Sequence, residues 1–129
     1  MKKKKVFISF DYDHDLDIKN SLVGQAELDD SPFEIYDISI KQAISSKWKD
    51  YARKKIRESD IIIFLCGHYT ESAAGVAAEM SIVHEENAEY FLLCGRSDGK
   101  VQAPKNSYAG DKIYKWTWDN LKLLLEGKR

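Results

Sequence analysis

Between Ile61 and Glu86 the chain reads IIIFLCGHYTESAAGVAAEMSIVHEE: an apolar run, a Gly-led turn and an alanine-rich stretch. An unbroken apolar run closed by Cys66 and Gly67 predicts a strand buried on both faces, because a one-sided strand would alternate. From about Ser72 to Glu85, Val76, Met80 and Val83 recur at helical spacing. Glu79 falls three residues after Val76 and four before Val83, which puts a carboxylate at the edge of the apolar stripe. Two outcomes are open for it: snorkelling from the flank into solvent, or a carboxylate held against the sheet.

The same patterning extends along the chain. Val6 to Phe10 (VFISF) predicts a first strand running into the acidic loop DYDHD. Asp15 to Leu28 predicts a helix, with Ile18, Leu22 and Ala26 four apart, broken by Asp29-Asp30-Ser31-Pro32. Phe33 to Ile40 predicts a half-buried strand near the sheet edge through Phe33, Ile35, Tyr36, Ile38 and Ile40. Ser46 to Ser59 predicts a helix whose apolar face carries Ile44, Trp48, Tyr51, Ala52 and Ile56. Glu89 to Gly95 predicts a fourth strand, Arg96 to Lys112 a long polar loop, and Ile113 to Trp116 a short fifth strand. Thr117 caps a final helix with Leu121, Leu124 and Leu125 inward and Gly127 at its end. Alternating β and α elements predict an α/β fold, a flavodoxin-like doubly wound five-stranded parallel sheet with helices on both faces.

Composition changes this picture little. The 129 residues suit a single domain spanning 1–129. Twenty basic and twenty-one acidic side chains leave a formal charge of −1, so nothing favours nucleic acid or an anionic membrane as a partner. The Lys2 to Lys5 run solvates a strand start. No apolar stretch approaches the roughly 20 residues of a membrane span, and the early apolar run meets charge at Asp11, unlike a signal peptide. The expected location is cytoplasmic, where Cys66 and Cys94 act as small buried hydrophobes. The histidines His14, His68 and His84 are dispersed, so no metal site is expected.

Chemistry in such a sheet sits at the carboxyl ends of the strands, between the first and third in a flavodoxin-like order. Two loops therefore matter, Asp11 to Asp15 and Gly67 to Ser72. A phosphorylated receiver domain would need an aspartate acceptor where Cys66-Gly67 stands. Three aspartates after the first strand would repel a flavin phosphate. Asp11, Asp13 and Asp15 open like an EF-hand loop, but Leu16 and Leu22 occupy its Gly and Glu positions. Neither dinucleotide-binding glycines nor a Walker loop is present.

VFISF with its acidic loop, DIS after the second strand, ESDIIIFL, GHYTESAAGVAAEM and YKWTWDNL together resemble the bacterial TIR-like family, in the branch that includes the small TIR proteins of Thoeris antiphage defence. The third-strand segment is similar to that family's G-x-x-T-x-x-S-x-W-V-x-x-E pattern at Gly67, Thr70, Val76 and Glu79, with Ala73 and Gly75 where the family usually has Ser and Trp. The resemblance implies an NAD+-cleaving enzyme, with NAD+ as substrate rather than cofactor and Glu79 as the catalytic residue. It further implies that Phe10, Asp11 and Tyr12 line the nucleotide side, that Ser39 and Trp48 border the crevice, and that Thr70 and Ser72 sit at the helix start. Phe10 and Trp48 equally suit core positions, and Thr70 and Ser72 equally suit helix caps. The implied product is a signalling nucleotide, ADP-ribose, a cyclic ADP-ribose isomer or an ADP-ribose conjugate, read by a separate effector protein, with self-assembly as a further trait. A non-enzymatic TIR-like adaptor is the alternative.

Overall fold

The computed structural model describes residues 3–38 and 45–128 of the chain. Five strands, β1 (Lys4–Ser9), β2 (Phe33–Ile38), β3 (Ile61–Cys66), β4 (Tyr90–Cys94) and β5 (Ile113–Tyr114), alternate with α1 (Leu16–Ala26), α2 (Ser46–Glu58), α3 (Ala74–Glu86) and α4 (Trp118–Leu125). All neighbouring strands pair in parallel in the order β2-β1-β3-β4-β5, which is the doubly wound, flavodoxin-like arrangement expected from the alternation.

The β3 run is buried at every position, as its continuous apolar character requires. Its side chains divide between two cores. Ile61, Ile63 and Leu65 pack with Ile18, Leu22, Leu121, Leu124 and Leu125 of α1 and α4. Ile62, Phe64 and Cys66 pack with Trp48, Ala52 and Ile56 of α2 and with Val76, Met80 and Val83 of α3. Burial in that second core pushes the Cys66 thiol up to about 12.

Ser45 caps α2 by accepting from the Trp48 amide, and Thr117 caps α4 by accepting from the Asn120 amide. Asn87 closes α3 in the left-handed conformation. The guanidinium groups of Arg53 and Arg57 grip Glu86, tying α2 to α3 and holding that carboxyl down to about 2.

Three expectations need correction or bounding. Tyr51 leaves the apolar face of α2: it is 40% exposed, and its hydroxyl donates to Asp37 at 2.9 Å. A polar partner across the loop competes successfully with burial. The fifth strand ends at Tyr114 instead of Trp116, whose indole N–H donates to Gln25 at 2.8 Å. Ile40 and Ile44 lie outside the described residues.

No helix connects β4 to β5. The intervening loop is instead fastened across the carboxyl end of β3 and along α3. The Gln102 amide donates to the Gly67 carbonyl at 3.0 Å, Asn106 donates to the Ala77 carbonyl at 3.1 Å, and the Tyr108 ring stacks on His84 at 3.9 Å. Tyr90 donates to Asp111 at 2.6 Å from the other end. This segment is irregular because Gly99, Pro104 and Gly110 interrupt it, yet the amides of Gly99, Gln102, Ser107 and Asp111 find backbone partners.

Candidate active site

Glu79 is a buried carboxylate at the sheet's carboxyl edge. On α3 it falls among Val76, Met80, Ile82 and Val83, all buried, and is itself only 2% exposed. The apolar stripe is broader than Val76, Met80 and Val83 alone predict, so a position at its edge becomes interior. The snorkelling alternative is thereby excluded. Ser9, the last residue of β1, donates its hydroxyl to Glu79 Oε1 at 2.6 Å, which fixes the carboxylate at the end of the first strand.

The loop after β1 forms the next wall. Asp11 is buried, and its Oδ1 accepts from the Asp13 amide at 3.2 Å. Its Oδ2 lies 2.6 Å from His14 Nδ1. Tyr12 is exposed at the rim, with its ring 5.8 Å from that of Phe10. Phe10 itself is buried in the core beneath α1 and α4.

The loop after β3 forms the opposite wall. Thr70 is buried, and its hydroxyl accepts from the Gly67 amide at 2.7 Å. Ser72 is exposed and donates to the Tyr69 carbonyl at 3.0 Å. Both belong to a single 3-10 turn, Thr70–Ser72, that precedes α3. Neither caps that helix: its N-cap is Ala73, without a side-chain bond. Trp48 is buried in the core between α2 and α3. A Cβ on Gly75 would meet nothing within 4 Å, so the first turn of α3 faces open space there. Ser39 lies outside the described residues.

The structure also brings together residues that the linear pattern does not mark. Arg96, just beyond β4, donates to Asp15 Oδ1 at 2.9 Å, to both oxygens of Asp17 at 2.6 and 2.8 Å, and to the His14 carbonyl at 2.9 Å. It thus clamps the loop after β1 onto the end of β4. Asp15 is 1% exposed, and its Oδ2 has no hydrogen-bond partner. Desolvation raises its pKa above the ordinary 3.8 despite the guanidinium beside it.

The close approach needs two glycines. A Cβ on Gly67 would collide with the Asp15 carboxylate, and one on Gly95 would collide with the Ile18 side chain. The repeated Cys-Gly at the ends of two apolar runs, 66–67 and 94–95, is the linear trace of something packed over both strand ends. Aspartate three residues before histidine in DYDH is the trace of the Asp11–His14 pair. Arg96 leaves no such trace, since its partners lie about eighty positions earlier in the chain.

Among the described residues no group of His, Cys, Asp and Glu is placed to hold a metal ion, and no helix is long and apolar enough to cross a membrane. No curated protein matches the chain. The family model of the Thoeris protein ThsB, TIR-like domain, matches residues 7–94, which run from within β1 through β4 and include Glu79 and the loops after β1 and β3. The chain therefore belongs to the TIR-like domain family of the Thoeris ThsB type.

Proposed function

We propose that this protein is a TIR-type defence enzyme that cleaves NAD+, releases nicotinamide and makes an ADP-ribose-derived signalling nucleotide, with Glu79 as the catalytic carboxylate. The observation that carries this is the place of Glu79, buried on α3 and held by Ser9 at the end of β1. In sheets wound this way ligands bind beyond the carboxyl ends of the strands, which supports the reading. Membership of the TIR-like family supports the choice of reaction class.

The physical logic is that of N-glycosidic cleavage. As the bond from C1 of the ribose to nicotinamide lengthens, its electron pair leaves on the pyridine nitrogen and C1 becomes oxocarbenium-like. A pre-positioned carboxylate stabilises that developing charge and holds the ribose hydroxyls, with little reorganisation because Ser9 already fixes it. Asp11 and Tyr12 line the nucleotide side in this proposal, with Thr70 and Ser72 in the turn that leads into α3. Phe10 and Trp48 contribute by shaping the floor through core packing. Water as acceptor yields ADP-ribose, an atom of the same molecule a cyclic isomer, and a second small molecule a conjugate. The nucleotide then reaches a separate effector protein, and self-assembly of the chain accompanies activation.

A non-enzymatic adaptor is favoured by one feature, the open space at Gly75 where the family usually carries Trp. Mass spectrometry of nucleotides from phage-challenged cells carrying the gene separates the two. An ADP-ribose derivative present with the wild type and absent with Glu79→Gln is the expected result. Identical nucleotide pools in both strains would overturn the enzymatic function.

A further inference from the structure

The cleavage proposed above needs a second function that Glu79 does not supply. A hydroxyl acceptor that bonds to C1 must lose its proton, and a carboxylate committed to the cation and the ribose hydroxyls is poorly placed to take it. We infer that His14, oriented by Asp11, is the general base that removes the proton from the acceptor hydroxyl in the crevice.

The geometry is that of an acid-oriented imidazole. Asp11 is buried, and its Oδ2 lies 2.6 Å from His14 Nδ1. With Nδ1 donating to the carboxylate, Nε2 is the ring nitrogen left to exchange a proton with a ligand. The His14 side chain is 50% exposed, so the ring is reachable from solvent. The ring is nevertheless held in place. Its face lies against Tyr69, centroids 4.5 Å apart and planes 37° apart. Its backbone is anchored by the Asp11 carbonyl, which accepts from the His14 amide, and by Arg96, which donates to the His14 carbonyl.

Asp11 meets the ring from its own loop and Tyr69 from the loop after β3, while Arg96 from beyond β4 holds the backbone carbonyl. His68 lies past Tyr69, with its Nε2 engaged by Asp98 at 2.9 Å.

His14 and Glu79 border the same two strand ends. Ser9, which holds Glu79, is two residues before Asp11, which holds His14. Tyr69, which supports the imidazole, directly precedes the turn leading into α3. In the step assigned to it, the C1–N bond breaks with its pair going to nicotinamide, the C1–O bond forms, and the acceptor's proton moves to Nε2, from which solvent removes it. Because it selects which hydroxyl is activated, His14 also influences the ratio of water to other acceptors. Asp11 is a positioning residue.

The test uses the full chain, purified and in lysates of phage-challenged cells, with saturating NAD+ and wild type, His14→Ala, His14→Asn and Glu79→Gln in parallel. His14→Asn retains a donor for Asp11 but has no base. Both His14 variants are expected to lower kcat by about 100-fold or more, the usual contribution of a general base, with KM within about twofold. Added imidazole is expected to restore turnover in His14→Ala and to shift its product ratio. His14 variants that keep the wild-type rate and product ratio while Glu79→Gln is inactive would overturn the inference and leave the NAD+-cleaving function standing. A fall in rate that imidazole does not restore would assign His14 a structural role and equally overturn it. No nicotinamide from the wild type in either setting would overturn both.

Discussion

Arg96→Met removes the clamp between the loop after β1 and the end of β4 while keeping most of the apolar stem. The two carboxylates that Arg96 holds respond unequally. Asp17 is 66% exposed, so its pair with Arg96 contributes at most about 1 kcal/mol. Asp15 is 1% exposed and already has one unpartnered oxygen, so removing the guanidinium leaves the whole carboxyl buried without a donor. Stranding a buried charge typically costs about 3–5 kcal/mol. Protonation sets a ceiling, because the carboxyl escapes that cost by taking up a proton.

From an ordinary value of 3.8, holding the proton at pH 7 costs about 4 kcal/mol, and at pH 5 about 1.6 kcal/mol, at 1.36 kcal/mol per pH unit. The expected destabilisation is therefore about 3–4 kcal/mol at pH 7, shrinking by about half or more at pH 5. Urea unfolding followed by tryptophan fluorescence at both pH values measures it. The double variant Arg96→Met/Asp15→Asn is expected to recover much of the stability, as a coupled pair should. A penalty that stays constant between pH 7 and pH 5, or an Asp15→Asn change that simply adds to it, would refute the clamp.

Four further outcomes are expected. In the wild type, a raised Asp15 pKa means that the folded state binds more protons just above pH 3.8, so this group's contribution to stability falls as pH rises from 3.8 through its folded value. Asp15→Asn should flatten that part of a stability–pH curve. Trp48→Ala is expected to cost about 3–5 kcal/mol in denaturant unfolding, since the indole fills the core between α2 and α3. Gly24→Ala should stabilise by about 0.5–1 kcal/mol, because the glycine lies in α1 and a Cβ there meets nothing within 4 Å. Cys66, buried with its thiol pushed up to about 12, should resist alkylation at pH 8 in the native protein and react on unfolding, as counted by intact mass.

The chain's patterning carries the architecture further than the site. A run of six apolar residues identifies β3 as central because only a strand covered on both faces can use them all, and Thr117 with its three leucines marks α4 for similarly local reasons. Helical spacing misplaces Tyr51 because it cannot foresee a hydroxyl partner on another element, here Asp37. The helix-free crossover before β5 is legible through Gly99, Pro104 and Gly110, whereas its fastening to α3 is something no local propensity encodes.

At the site, spacing locates Glu79 but leaves its burial undecided. Two features of the fold decide it: Ile82 widens the stripe, and Ser9, seventy residues away, reaches its carboxylate. The Asp15–Arg96 clamp is illegible for the same reason, being wholly a product of strand order. The Asp11–His14 pair is legible in principle, since its two members are three residues apart, but only the fold shows that the carboxylate is buried and the imidazole is not.

The most direct test of the central claim is the rate of nicotinamide release from NAD+ by wild type and Glu79→Gln, purified and in lysates of phage-challenged cells. Circular dichroism should first show that the two share one fold and differ in stability by no more than about 1 kcal/mol, the scale of one altered hydrogen bond. The predicted result is release by the wild type and a fall of at least about 100-fold in the variant, as removal of a principal charge-stabilising group requires. Equal release by both proteins, or a Glu79→Gln chain that fails to fold, would contradict the assignment of Glu79 as the catalytic carboxylate.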